Sequence, residues 1–307
     1  PFFTRTPPPK GTPLHPMQEL LQYLFSGLTN GAIYAVIGVG FAMLYNATDL
    51  INFAHGEFVM LGALLLVTLW GGVGLPLIPA FLLAAPAVAG CGLLFERLAI
   101  RTVRKPQPIV LVIITVGASI FLRGVAMMIW GKDAHSLPPF SEGDPLNLFG
   151  ATLLRQSLWI LVIALLMAVG LHLFYRRTLT GKAMQATAIN RRGAWVSGIP
   201  AEGMIRLAFF MSTGIGAVAG MTVAPVTMSA YDMGTMLGLK GFCAAMLGGI
   251  GSLWGAMLGG FLLGVVEALA VGFISSAMKD AVAFVLLLAI LYIRPSGIIR
   301  SAESARF

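Results

Sequence analysis

Residues 241–274 read GFCAAMLGGIGSLWGAMLGGFLLGVVEALAVGFI. As one helix this run would measure about 51 Å at 1.5 Å per residue, whereas a bilayer's hydrocarbon core is only about 30 Å thick. The run therefore cannot be a single crossing. Its weakest point is Gly248-Gly249-Ile250-Gly251-Ser252, where glycines remove side-chain packing and a helix is easily broken. The sequence is split there into a short segment and a full span.

Working outward, other apolar runs bounded by charge, Pro and Gly occupy residues 20–45, 50–70, 76–95, 109–130, 158–175, 205–226 and 280–292. The chain of 307 residues is 58% hydrophobic and 10% charged. A soluble domain carries about 25% charge and could not cover its surface with so little. At about 20 apolar residues per crossing, the composition supports at most about nine spans. These features predict an all-α, polytopic membrane helix bundle of about 8–9 segments, forming one domain over residues 20–300. A Pro-rich stretch at residues 1–19 reads as a flexible leader, and residues 301–307 as a cytoplasmic tail. Cys91 and Cys243 both lie in apolar runs and suggest neither a disulfide framework nor a metal site.

The net charge of +8 sits in a few connections. Arg97, Arg101, Arg104 and Lys105 follow the third run. Arg176, Arg177, Lys182, Arg191 and Arg192 follow the fifth, and Arg294, Arg300 and Arg306 close the chain. Positive loops stay cytoplasmic, so these three lie inside and the acid-containing connection 131–157 lies outside. This pattern is an orientation signal and not a nucleic-acid surface. It places the C-terminus inside only if residues 241–274 cross twice, and it places the N-terminus outside. Residues 50–130 and 240–292 each run as a short broken segment, a Gly-containing span, a connection and another span, in opposite orientations. Inverted repeats with broken helices are a transporter architecture whose site lies near the midplane.

Asn52-Phe53-Ala54-His55-Gly56-Glu57 places polar groups just inside an apolar run. Such groups must face protein or a water path. Asn52 and His55, three apart, would share a helix face, and Gly56 permits unwinding. Two readings stand: a discontinuous helix lining a substrate path, or an interfacial turn in which His55 caps or packs. Glycines four apart (Gly251, Gly255, Gly259; Gly260, Gly264; Gly27, Gly31; Gly216, Gly220) let helix backbones approach closely. In the basic loop 176–204, residues 182–197 have helix-forming composition, ending at Gly198 and stopped by Pro200. That helix would serve either as a docking surface for a cytosolic partner or as an anionic-lipid anchor. Arg123, Lys240 and Glu267 are charges inside spans, each either functional or part of an ion pair that locks helices. Gly181-Lys182-Ala183 lacks the upstream Gly and the Ser/Thr of a phosphate-binding loop.

Asn30-Gly31-Ala32-Ile33-Tyr34-Ala35, the Asn52–Glu57 motif, Glu96-Arg97, Gly117-Ala118-Ser119, Leu122-Arg123-Gly124, Gly248–Ser252 and Arg294-Pro295-Ser296-Gly297 occur in order along residues 20 to 300. Together they resemble the permease subunits of branched-chain amino acid ABC importers. The resemblance implies a bacterial plasma-membrane assembly. A second homologous permease, two cytoplasmic ATPases and an external substrate-binding protein would complete it. ATP would be bound by the partner subunits, with no cofactor or metal in this chain and no catalysis by it. On this resemblance Asn30, Asn52, His55, Gly56, Glu57, Gly248, Gly249, Gly251 and Ser252 would line the translocation path. Gly181, Lys182, Ala183, Ala186, Ala188, Asn190, Gly198, Ile199 and Pro200 would form the coupling helix that meets an ATPase. Gln185 stands where an Arg is common in the family. The family also resembles permeases for urea and short amides. Independently of the family, a standalone channel or ion-coupled carrier would use Glu57, Glu267 and His55 to handle protons.

Overall fold

The computed structural model describes residues 16–103, 107–148, 150–294 and 296–299. Residues 1–15 of the expected leader, Arg104, Lys105 and the tail 301–307 lie outside the described residues. Eleven helices and one hairpin follow in order. They are α1 (Pro16–Thr48), α2 (His55–Leu66), α3 (Leu77–Phe95), α4 (Pro108–Trp130), the hairpin strands β1 (Leu146–Leu148) and β2 (Ala151–Leu153), α5 (Arg155–Arg177), α6 (Leu179–Ile189), α7 (Arg191–Val196), α8 (Ala201–Val223), α9 (Met233–Gly248), α10 (Leu253–Phe273) and α11 (Lys279–Ile293). Wider turns prolong α2 over Val67–Gly72 and α3 over Glu96–Ile100. Among the described residues, eight helices are long and apolar enough to cross a membrane, and α9 is a shorter apolar helix. The chain is thus a polytopic helical bundle.

α1 is the axis of the bundle. It has 33 residues, about 50 Å of helix, and α5, α8, α9 and α10 pack around it. Its close partners are set by small residues. Gly27 and Gly31 abut the backbone of Phe261, Gly264 and Val265 on α10, and any side chain there would force the helices apart. By contrast α4 and α11 are largely exposed. They turn Ile109, Ile113, Ile120, Phe121 and Met128, and Val285 and Leu288, away from the bundle toward lipid or another subunit.

The two ends separate by charge. Gln22, near the start of α1, brackets Thr152 of β2, donating from Nε2 to its carbonyl at 3.0 Å and accepting its amide at 2.8 Å. The start of α1 therefore shares the end of the β-hairpin, which lies in the external connection. At the other end Arg101 pairs with Glu202 at 3.1 Å, joining two basic connections. The turn after α9 is closed by the last described residues. The amides of Ile298 and Ile299 donate to the carbonyls of Leu247 and Gly248 at 2.9 and 3.0 Å, so the closing segment seals it.

The break expected in 241–274 falls between Gly248 and Leu253, where Gly249 has φ +103° and Ser252 caps α10 by accepting the Gly255 amide at 3.0 Å. The start of the short segment differs. It lies at Met233 and not at 241, because Lys240 is paired inside the bundle and is not a boundary. Residues 16–19 belong to α1 and not to a leader. The two segments expected to repeat correspond to α2–α3–α4 and α9–α10–α11, and their first helices, α2 and α9, meet at Gly56 and Gly234. α2 packs beside α8, and α9 runs on to the glycine turn.

Candidate translocation site and cytoplasmic face

After α1 ends at Thr48, Asp49 takes a positive φ of 54° and the chain re-enters the bundle in extended form. Asn52 directs that re-entry. Its Oδ1 accepts the Ala54 amide at 3.1 Å and its carbonyl accepts the His55 amide at 3.0 Å. Asn52 thus precedes α2 and organises its first turn. It does not share a helix face with His55, as the spacing alone suggested. His55, fully buried, is wedged between α1 and α8. Its ring meets Phe41 edge-on at 4.6 Å, lies beside Gly40 and Gly216, and places Nδ1 3.4 Å from Ser212 Oγ. Ser212 itself donates to the Gly40 carbonyl at 2.8 Å. Of the two readings of this motif, the geometry of His55 is that of a packed, positioning residue.

Gly56 carries the central contact. Its backbone touches Gly234 and Gly238 of α9, so the two short helices meet at their N-terminal turns with no side chain between them. Glu57 fills the space beside that contact. Its Oε1 accepts from Ser119 Oγ at 2.8 Å and Thr235 Oγ1 at 3.4 Å, and lies 3.5 Å from Arg123 Nε. The carboxylate is buried, while about a third of the Arg123 side chain is exposed. This arrangement ties α2, α4 and α9 into one polar node within an apolar bundle. Beside it, half-exposed Phe53 and Phe242 pack with their rings tilted, 5.5 Å between centroids.

A second node holds the middle of α9. Lys240 Nζ lies 3.1 Å from Glu267 and 2.7 Å from Asp280. Glu267 Oε1 is also 3.2 Å from Lys279 and accepts from Tyr34 Oη at 3.0 Å. Two cations face two anions, which balances charge where burial would penalise any excess. The node joins α1, α9, α10 and α11. Lys240 and Glu267 thus lock helices, the second of the readings open to them, and Arg123 does the same toward Glu57.

The remaining expected path residues lie elsewhere. Gly248, Gly249, Gly251 and Ser252 form the α9–α10 turn against Gly255, Ser296 and Ile299, apart from Asn52 and His55. Asn30 is half-buried on α1 and makes no hydrogen bond to Asn52 or His55. The structure thus gathers Asn52, His55, Gly56 and Glu57 but not the others. It adds residues that sequence reasoning passed over: Ser119, Ser212, Thr235, Tyr34, Lys279 and Asp280. Ser119 lay in a quoted motif, and Asp280 marked the start of a run. Thr235 carried no signal because it lay between the apolar runs 205–226 and 241–274.

The basic loop is not one helix but two. Thr178 caps α6 by accepting the Gly181 amide at 2.9 Å, and Asn190 ends α6 and caps α7 by accepting the Gly193 amide at 2.9 Å. Gly181 is pressed against the backbone of Phe174 and Tyr175, which bends α6 back under α5. Ala183, Ala186 and Ala188 are half-buried, and Lys182 and Asn190 are exposed. Gly198 stops α7 at φ +82°, and Ile199 donates to the Ala194 carbonyl at 2.9 Å; Pro200 then leads into α8. The outer face is apolar and uncovered: Trp195 and Val196 are 73% and 80% exposed, framed by Arg191 and Arg192.

Residues 23–291 match the family described as "Branched-chain amino acid transport system / permease component". The chain belongs to this family. It is 36% identical to the high-affinity branched-chain amino acid transport system permease protein BraD of Pseudomonas aeruginosa, over 92% of this chain and 96% of BraD. It is 34% identical to the permease protein LivH of the same kind of system in Escherichia coli K12, over 92% of this chain and 96% of LivH. The LivH of Salmonella typhimurium is 35% identical over the same shares. A member of this family is a transport permease, and this one is a multi-pass protein of the plasma membrane. The family accounts for the near-complete coverage: the match begins inside α1 and ends inside α11, so it spans both halves of the repeat.

Proposed function

We propose that the chain is one permease of an ATP-driven importer that carries branched-chain amino acids into the cytoplasm. The observation that carries this reading is the α6–α7 unit. An apolar face of Trp195 and Val196, beside exposed Arg191 and Arg192 and uncovered among the described residues, projects from a bundle with no phosphate-binding loop in its sequence. Exposed large apolar residues beside charge mark a protein-docking surface. An ATPase would seat there and push α6 and α7, with Gly181, Lys182, Ala183, Ala186, Ala188, Asn190, Gly198, Ile199 and Pro200 setting the unit's shape. Two such ATPases, a second permease and an external binding protein complete the assembly. ATP is hydrolysed in the ATPases.

Cargo passes along the layer where α2 and α9 meet. Asn52, His55, Gly56 and Glu57 hold that junction from behind. Phe53, Phe242 and Thr235, half-exposed in the same layer, offer the apolar surface that a Leu, Ile or Val side chain requires. The alternative of a standalone proton-coupled carrier has less support. Glu267 is matched by two lysines and His55 is enclosed by α1 and α8. The test is uptake of labelled leucine into proteoliposomes, with the chain reconstituted together with its permease partner and ATPases, binding protein outside and ATP inside. Uptake that requires every component supports the proposal, and uptake by the chain alone under a pH gradient contradicts it.

A further inference from the structure

Among the described residues, a cavity of about 560 Å³ opens where α5, α6 and α10 come together over α1. Arg176, in the last turn of α5, and Lys182 of α6 line it, with Gln185, Asn46 and Tyr175. No acid lines it, and neither cation has an ion pair among the described residues. The cavity is thus a doubly positive pocket whose counter-charge the described residues do not supply. Its level is fixed by its walls. Arg176 closes α5 and Trp254, half-exposed, opens α10, so both sit at the cytoplasmic boundary of the bundle, where aromatic belts meet lipid headgroups. Its floor is apolar, from Val39, Leu171 and Met257. Toward the membrane the flanking helices turn Leu165 and Leu173 of α5, and Leu258 and Leu262 of α10, outward.

A positive, polar mouth over an apolar floor, at the end of the spans and open beside outward-turned leucines, matches one chemical class. We propose that this cavity binds an anionic phospholipid of the inner leaflet. Its phosphate sits between Arg176 and Lys182, and its acyl chains lie against α5 and α10. Basic pockets between membrane helices on the cytoplasmic side recognise headgroups in this way. Because Lys182 and Gln185 belong to α6, the bound lipid also braces the unit that carries Trp195. This inference does not depend on the identity of the cargo.

The test uses the full chain, purified in mild detergent. Native mass spectrometry compares retention of phosphatidylglycerol with that of phosphatidylcholine. The wild type prefers phosphatidylglycerol, and the Arg176→Gln/Lys182→Gln variant loses about thirty-fold of that preference, from about 1 kcal/mol per basic residue. The Arg191→Gln/Arg192→Gln variant, altered on the same loop outside the cavity, keeps it. Equal loss in both variants would mean general attraction of the loop and would overturn the site. Displacement of the lipid by an equal concentration of inorganic phosphate would reveal a free-anion pocket and overturn it as well. A second readout does not depend on the charge variants. Chain-brominated phosphatidylglycerol should quench a fluorescence component that Trp254→Phe removes, more strongly than brominated phosphatidylcholine does. Identical quenching by the two lipids would contradict the proposal.

Discussion

Glu57 shows how one carboxylate can organise a membrane bundle. It is buried in the layer where α2 and α9 meet, and Ser119, Thr235 and Arg123 from two further helices converge on one of its oxygens. Removing one partner of a buried pair leaves the other charge uncompensated, which costs roughly 3–5 kcal/mol. Arg123→Gln should therefore destabilise the chain strongly, while Glu57→Gln/Arg123→Gln should cost less than the sum of the two single changes. A double-mutant cycle by denaturant unfolding in detergent reads this directly, and strict additivity would mean that the two side chains do not interact. Gly56 makes a sharper case. A methyl there would overlap the carbonyl of Gly234, so Gly56→Ala should cost about 1–3 kcal/mol and separate α2 from α9. Unchanged stability in the same unfolding experiment would refute the close contact. The sequence showed both residues as unusual but could not say what faced them. Thr235 and Gly234 lie far along the chain, in a stretch that reads as loop.

At the scale of elements, the readable signals were those that involve a single segment. The length of 241–274 against the bilayer thickness required a break, and the glycines located it, which the structure reproduces between α9 and α10. Pairing defeated the same kind of reasoning at Lys240. A charge marks the end of a span only while it is unpaired, and Lys240 is neutralised by Glu267 and Asp280, so α9 continues back to Met233. The glycine break was also expected to join Asn52 and His55. Instead, the half-helix start at Met233 and Gly234 meets Gly56 and Glu57, and the glycine turn packs against Ser296 and Ile299. Likewise the composition of 182–197 favoured one helix, whereas Asn190 caps a second one and divides it. The α6–α7 unit carries its own prediction. Trp195 is largely exposed, so Trp195→Ala should leave the unfolding midpoint within about 0.5 kcal/mol of wild type. As an aromatic anchor on a docking face it should weaken ATPase binding by at least about 2 kcal/mol. A pull-down titration with the cognate ATPase measures this, and unchanged binding would show that the partner docks elsewhere.

The whole molecule is a helical bundle around the long α1, with the short helices α2 and α9 meeting at Gly56 and Gly234. Charge separates its ends: arginines gather at the ends of α3, α5 and α11 and on α7, and the β-hairpin covers the start of α1. Composition and loop charge made this architecture legible, because bilayer thickness and the positive-inside bias act on the sequence directly. What they could not show was which half-helices meet, since that depends on packing between segments distant in the chain. The central claim is that this bundle moves cargo only when driven from its cytoplasmic face. Leucine uptake by proteoliposomes tests it most directly. The account predicts ATP-dependent uptake that requires the ATPases and the external binding protein, and that is lost on removing any one of them. Leucine accumulation by this chain alone, driven by a proton gradient without ATP, would contradict it.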